Sequence, residues 1–441
     1  MTRWYNPPVD FRVDSLGEGR YPSPFPICRY VTDADRVSYY SEMKALRDRF
    51  ASGEEPPSLE VAGPRDRLFF DPAHTTCAVV TCGGLCPGLN DVIRSITLAL
   101  HHLYGVKRVV GIPYGYAGLA ADNREPWVDL TPRAVATIHH EGGTVLGSSR
   151  GPQEAGEIVD TLQQKGVGLL FTIGGDGTLR GGLRIAEEIQ RRGLPIGVVG
   201  LPKTIDNDIA FIERSFGFET AVGAARSAIA AAHAESLGTR NGIGLVKLMG
   251  RHSGFIAAYA ALSTGDVNFC LAPEVPFILQ EGEFGFLPAL KRRLLGRSHA
   301  VVVVAEGAGQ ELVAAHGEPV LDASGNVALA DIGTFLRDRI TSYLRRENVE
   351  FSLKYIDPSY MIRSLPAGPD DAAFCSLLGQ SAVHAGLAGR TNAVVGFWNQ
   401  HFTLVPIPMA VSARKRIDPQ GSLWQSVLQA TGQPSLGSDG V

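Results

Sequence analysis

Two carboxylates flank one amide in Pro202-Lys203-Thr204-Ile205-Asp206-Asn207-Asp208, directly after the apolar run Ile196–Leu201. A buried strand ending in a polar, Pro-bounded turn delivers side chains to the carboxyl edge of a sheet, where open α/β folds bind ligands. There one acid can accept a hydroxyl proton while its neighbour holds a metal or orients the first. A surface turn uses the same residue types, because Asp and Asn bond their own backbone in turns, so context decides. Upstream, Gly174-Gly175-Asp176-Gly177-Thr178 follows the apolar run Val167–Ile173 and precedes Leu179, Leu183, Ala186 and Ile189, which have helical spacing. Glycines let backbone N–H groups approach phosphate oxygens, Asp176 can hold Mg²⁺, and a helix N-terminus favours an anion. A third unit has the strand-like run Cys77–Cys82, the loop Gly83–Gly88, and a helical pattern through Val92, Ile93, Ile96 and Leu100. One glycine-rich loop is ordinary strand-to-helix punctuation. Three in one chain point to phosphate chemistry.

The elements that must position these loops alternate. From Cys77 to about Phe216 strands and helices take turns, with another strand at Arg108–Ile112, which predicts a parallel, helix-covered sheet. A second alternating series runs from about Gly217 to Pro358. It has a helix over Ala221–His233, strands over Gly244–Leu248, Val267–Ala272 and Ala300–Val304, and a helix over Asp331–Arg346. The expectation is an α/β protein with two Rossmann-like three-layer domains, mostly parallel sheets, and an active-site cleft between them. Residues 75–216 plus about 362–402 form the larger, nucleotide-binding domain, and 217–361 plus about 403–441 the smaller, sugar-phosphate-binding one. Residues 1–74 are Pro-rich around Pro7-Pro8, Pro22–Pro26 and Pro56-Pro57, with a helical stretch over Ser38–Phe50; they predict an N-terminal arm that wraps a neighbouring domain or subunit.

Composition fits a large soluble enzyme: 441 residues, 44% of them hydrophobic, can bury two cores. A formal charge of −4 argues against a dedicated nucleic-acid surface. No apolar run approaches the roughly 20 residues that span a bilayer, and the start carries no apolar signal core, so the expectation is a cytoplasmic protein without a membrane partner. The six cysteines, at 28, 77, 82, 86, 270 and 375, are scattered. Cys82 and Cys86 frame the first glycine loop, but no second Cys or His pair accompanies them as a zinc site requires.

At these residues the chain resembles the 6-phosphofructokinase family, over roughly Cys77–Phe402. The family pattern stands as Gly83-Gly84, Gly142-Gly143-Thr144 through Ser149-Arg150, Gly174–Thr178 and Thr204–Asp208, then Met249-Gly250-Arg251, Pro273-Glu274-Val275 and Tyr360-Met361-Ile362-Arg363. NAD kinases and lipid kinases share a GGDGT run but lack the other segments. The wording TCGGLCPGLNDVIR and YIDPSYMIR, with the long extension, is most similar to the plant, trypanosomatid and spirochaete branch.

The resemblance implies roles. Asp206 takes the C1 hydroxyl proton of fructose 6-phosphate as the sugar oxygen attacks the γ-phosphate of ATP, Asp208 orients that base, and Asp176 holds Mg²⁺. Arg251, with Lys203 and Arg150, neutralises charge on the transferring group. ATP lies against Gly84, Tyr116, Arg150, Gly151, Gly174, Gly175, Asp176, Gly177 and Thr178. The sugar phosphate lies against Thr204, Asp206, Met249, Gly250, Arg251, Glu274, Lys354, Tyr360 and Arg363. A homo-oligomer, dimer or tetramer, is the family habit.

The donor rests on two positions. Pyrophosphate users in the family carry Asp where this chain has Gly177, and that carboxylate would crowd and repel an ATP α-phosphate. They carry Lys at the place of Lys203, where short bacterial ATP enzymes have Gly. The steric term is weighted more heavily, which favours ATP and leaves a pyrophosphate-dependent enzyme as the alternative. A non-catalytic nucleotide or sugar-phosphate sensor would keep the glycines but could dispense with Asp206 and Asp208. Gly242 and Leu98 stand where short bacterial enzymes place arginines for sugar and effector binding, so those contacts do not carry over.

Overall fold

The computed structural model describes residues 10–24, 29–123, 125–279, 284–313 and 327–437. Pro7, Pro8, Pro26 and Cys28, read above, lie outside them. Five parallel strands form the centre of the larger sheet, in the order Ala393–Trp398, Gly197–Pro202, Val167–Gly174, Thr76–Thr81 and Arg108–Ile112. These runs are rich in Val, Ile and Leu because both sheet faces are covered, and alternate residues serve alternate cores. Cys77 and Val79 pack in a core with Val92, Ile93 and Ile96 of the helix Leu89–Leu98. Ala78 and Val80 belong to a second core with Ile158 and Leu162 of Ala155–Gln164 and Ile185 and Ile189 of Asp176–Arg192. The result is a three-layer domain.

The smaller sheet repeats that logic with four parallel strands among the described residues, ordered Phe269–Leu271, His299–Ala305, Gly242–Leu248 and Ser352–Ile356. Val301 and Val303 face the core that holds Ala221, Ala225 and Ile229 of the helix Phe218–Leu237. Val302 and Val304 face the core shared with Leu336 and Ile340 of Ile332–Arg346. Asp331, read above as the first helical residue, is that helix's N-cap, accepting from the backbone N–H groups of Gly333 and Thr334.

Two boundaries differ from the sequence reading. The smaller domain was expected to resume at about residue 403, yet His401–Pro406 pairs antiparallel with both Ala393–Trp398 and Ser58–Val61 in the larger sheet. Asn399 and Gln400, at φ 46° and 65°, make the two-residue hairpin turn that folds it back. Without glycine, that turn leaves little trace in sequence. The chain rejoins the smaller core at Ile417, and then with Trp424 and Val427 of Ser422–Thr431. The described part of the arm, for its part, docks on its own chain. Arg36–Ser38 and Ser58–Val61 extend the larger sheet, Phe11 packs edge-on against Phe211, and Tyr39 stacks on Trp398. The helix expected from Ser38 spans Met43–Ala51.

Candidate active site

The strand Gly197–Pro202 hands the chain to a turn that several bonds fasten. Lys203 N donates to Gly174 O at 2.9 Å, and Ser215 Oγ donates to Thr204 O at 2.5 Å. Asn207 sits at φ 53°, in the left-handed region that Asn tolerates. Its amide nitrogen donates to Glu213 O at 3.0 Å and its amide oxygen accepts from Ser215 N at 3.0 Å. The amide between the two acids is therefore structural, and both acids line one cleft.

The acids have opposite surroundings. Asp208 is satisfied on both oxygens: Thr204 Oγ1 donates to Oδ1 at 2.7 Å and Arg414 Nη1 to Oδ2 at 2.8 Å. The Asp206 carboxylate receives one long bond, from Arg251 N to Oδ2 at 3.3 Å, while its Oδ1 is sealed from solvent with no hydrogen-bond partner. Burial, then the charges of Asp208 and Glu306, push the Asp206 carboxyl up to about 8. A buried acid that lines a cleft and keeps one oxygen unused is poised to take or give a proton.

The glycine side of the cleft is built for close approach. A Cβ on Gly174 would stand 2.1 Å from Thr178 Oγ1, so only glycine lets the strand Val167–Gly174 run straight into the helix Asp176–Arg192. A Cβ on Gly177 would meet nothing within 4 Å, which leaves the cleft open beside the helix N-terminus. Asp176, the first helical residue, accepts from Arg180 Nε at 3.1 Å and from Arg414 Nη2 at 3.4 Å. No group of three or more His, Cys, Asp or Glu fit to hold a metal occurs among the described residues. One cleft-facing carboxylate suits Mg²⁺ whose other ligands are phosphate oxygens and water, as the ion prefers. Tyr116 spends its hydroxyl on Thr178 O at 2.8 Å, so its ring alone faces the cleft. Lys203 Nζ donates to Gly84 O at 2.6 Å, tying two of the loops together, and burial lowers its pKa. Burial also pushes the Cys82 thiol up to about 12, which leaves little thiolate there.

The opposite wall comes from the smaller domain: Met249 and Arg251 after the strand Gly242–Leu248, and Tyr360 and Arg363 on the short helix Ser359–Arg363. The Arg363 guanidinium lies 4.8 Å from the Tyr360 ring centroid, fixing its direction by cation–π attraction. The cleft encloses about 850 Å³ and is lined on its two sides by Gly84, Arg150, Gly151, Gly175–Thr178, Lys203, Thr204 and both acids against these residues.

Four expected residues lie outside that lining. Gly174 and Gly250 sit behind it; a Cβ on Gly250 would stand 2.5 Å from Ser253 O, so this glycine shapes the turn that presents Arg251. Glu274 spends its carboxylate on backbone, accepting from Gly254 N at 3.0 Å and Ile417 N at 2.8 Å. Lys354 is exposed on the edge strand Ser352–Ile356. Conversely, the cleft gains Glu306, Lys247, His252 and Arg414, none of which was expected. Glu306 follows the strand His299–Ala305 directly, so the rule that found Asp206 applied to the second series of strands would have found it. Lys247 Nζ bonds Asp331 at 3.0 Å and Asp357 at 2.8 Å, a pairing visible only in three dimensions.

An α/β cleft with a glycine-rich turn and helix N-terminus on one wall, arginines on the other and, between them, a buried acid with one unpaired oxygen suits a phosphotransferase. The phosphofructokinase family model matches residues 76–386, and the chain belongs to that family. It is 48% identical to a Borreliella burgdorferi protein named ATP-dependent 6-phosphofructokinase, over 98% of this chain and 99% of that one. A Trypanosoma brucei brucei protein of the same name is 46% identical, over 98% and 88%. The fold matches the crystal structure of a Marinobacter aquaeolei pyrophosphate-dependent phosphofructokinase with a TM-score of 0.66, over 83% of this chain and 92% of that one. At 19% identity, that likeness bears on the fold alone.

Proposed function

We propose that this chain transfers the γ-phosphoryl group of ATP to the C1 hydroxyl of fructose 6-phosphate, giving fructose 1,6-bisphosphate and ADP, with Asp206 as the general base. The observation that carries the reading is the unpaired, buried Oδ1 of Asp206 in a cleft between the Gly174–Thr178 turn and Arg251. Phosphoryl transfer asks a protein for positioning and charge neutralisation more than covalent chemistry. Asp206 takes the hydroxyl proton as the sugar oxygen attacks, and its raised proton affinity suits that exchange near neutral pH. Asp208, satisfied on both oxygens, keeps its place beside the base. The N-terminus of Asp176–Arg192, with Gly84, Gly175, Gly177 and Thr178, cradles the phosphates of the nucleotide. Asp176 would hold Mg²⁺, which would supply charge compensation at the phosphates. Arg150, Arg251 and Lys203 add positive charge around the transferring group, and Tyr360 and Arg363 hold the 6-phosphate.

ATP rather than pyrophosphate is the donor on this reading because the space beside Gly177 is open, and because the relatives at 46–48% identity carry ATP in their names. A cytoplasmic setting and assembly into a homo-oligomer belong to the same reading. The test is initial rate with fructose 6-phosphate and Mg²⁺, ATP against pyrophosphate, in one purified preparation. Turnover with ATP alone is expected. Turnover with pyrophosphate alone would sink the argument from Gly177, and silence with both would return the protein to a sensing role.

A further inference from the structure

Three acids of the cleft, Asp176, Asp206 and Asp208, come from two different strand ends of the larger domain, and one side chain outside both connects them. Arg414 donates through Nη1 to Asp208 Oδ2 at 2.8 Å and through Nη2 to Asp176 Oδ2 at 3.4 Å. It lies beyond residue 386, where the family match ends, and more than 200 positions from either acid. Its own segment is pinned on both domains. Arg180 Nη2 donates to Val411 O at 2.6 Å, Lys415 N to Asp208 O at 2.8 Å, and Lys415 Nζ to Ile212 O at 2.8 Å and Glu213 O at 2.9 Å. Two residues on, Ile417 N donates to Glu274 Oε1 at 2.8 Å in the smaller domain. A strap tied at so many points holds its guanidinium with little freedom left to lose.

We propose that Arg414 is a positioning residue for phosphoryl transfer, whose guanidinium fork fixes Asp208 and Asp176 relative to each other and so sets where the base Asp206 stands. The inference rests on the proposed function. A planar fork is suited to this work because its arms hold two carboxylates at a fixed angle, whereas an ammonium, which can bridge two acids as Lys247 does, is a point charge without that fixed direction. Without it, among the described residues, the Asp208 side chain keeps only the bond from Thr204, and that of Asp176 only the bond from Arg180. The Asp206 carboxylate has, among the described residues, no tether beyond Arg251 N, so it follows the turn that Asp208 anchors.

Wild-type turnover with ATP is measured first; its absence removes the proposed function, and this inference with it. With an active wild type, Arg414→Ala is expected to lower kcat by about 10–100-fold, the usual cost of losing a group that orients a ligand-bearing side chain. The affinity for fructose 6-phosphate, read by calorimetry without turnover, stays within about twofold, since the hydrogen bonds of Arg414 go to Asp208 and Asp176 and not to Tyr360 or Arg363. Added guanidinium ion is expected to restore part of kcat in that variant. Unchanged kcat in Arg414→Ala overturns the inference while leaving the proposed function standing. If Arg414→Ala melts below the assay temperature, Arg414→Lys decides: it keeps the charge and one bond to Asp208 but cannot fork. A kcat reduced by about tenfold at normal melting temperature supports the fork, and a wild-type kcat overturns it.

Discussion

The two walls of the cleft make their sites by different means. The larger domain works with backbone: the strand ends at Thr81 and Gly174 turn into loops where glycine lets the chain itself approach a ligand, and its acids are short side chains fixed by their turns. The smaller domain works with long ionised side chains, Lys247, Arg251 and Arg363, each already held by a carboxylate, a carbonyl or a ring. A wall of backbone is damaged by adding atoms, whereas a wall of charges is damaged by removing them. The same contrast separates the two acids, one satisfied on both oxygens and the other with one oxygen unpaired.

The largest expected effect sits at the unpaired acid. Asp206→Asn is expected to cost about 10³-fold in kcat with little change in sugar affinity, as for a lost general base. Stability should move the other way. Folding raises this carboxyl from the ordinary acid range to about 8, so the folded chain holds the proton more tightly than the unfolded one. That contribution is complete below about pH 4 and is lost as pH rises through about 8. The variant, which never ionises, should therefore gain in melting temperature over wild type between pH 5 and 9. A parallel pair of melting curves would dissolve the contrast between the two acids.

Next comes the backbone wall. Gly177→Asp puts a carboxylate into the open space beside the helix N-terminus, and the rate with ATP is expected to fall about 10²-fold with sugar affinity kept. Equal losses in ATP and sugar affinity would mean a misfolded loop instead. A smaller, graded effect is expected in wild type on changing pH. Because the base must be ionised, kcat/KM should rise about tenfold per unit below pH 8 and level off above it. A flat profile from pH 6 to 9 would place the proton elsewhere.

The contrast between the walls also explains what sequence could tell. Glycine-rich loops are contiguous, so the strand end, the turn and the helix start of Val167–Arg192 stand in one stretch and were legible together. Asp206 and Asp208 were legible for the same reason. The charged wall is assembled from Lys247, Glu306, Asp331 and Asp357, residues far apart whose pairing exists only after folding. Arg414 stands in a basic run, Arg414-Lys415-Arg416, that sequence alone would read as a solvated surface. The return of His401–Pro406 to the larger sheet hid behind a turn of Asn and Gln, whose left-handed conformations glycine would have advertised.

Glu274 gives the mildest prediction and the sharpest use of the comparison, because it was expected on the charged wall but behaves like the backbone wall. Its carboxylate ends two backbone N–H groups, Gly254 at the start of the helix Phe255–Thr264 and Ile417 in the strap, and burial raises its pKa. Truncating it leaves both donors unpaired inside the protein, a loss of about 1–3 kcal/mol each where water cannot replace the acceptor. Glu274→Ala is thus expected to lower the melting temperature of the ligand-free protein, and Glu274→Gln, which keeps an acceptor oxygen for one of the two donors, to recover part of it. If both variants melt like wild type while sugar affinity falls, the carboxylate belongs to the sugar after all, and the strap is held by Arg414, Lys415 and the bond from Arg180 to Val411 O without it.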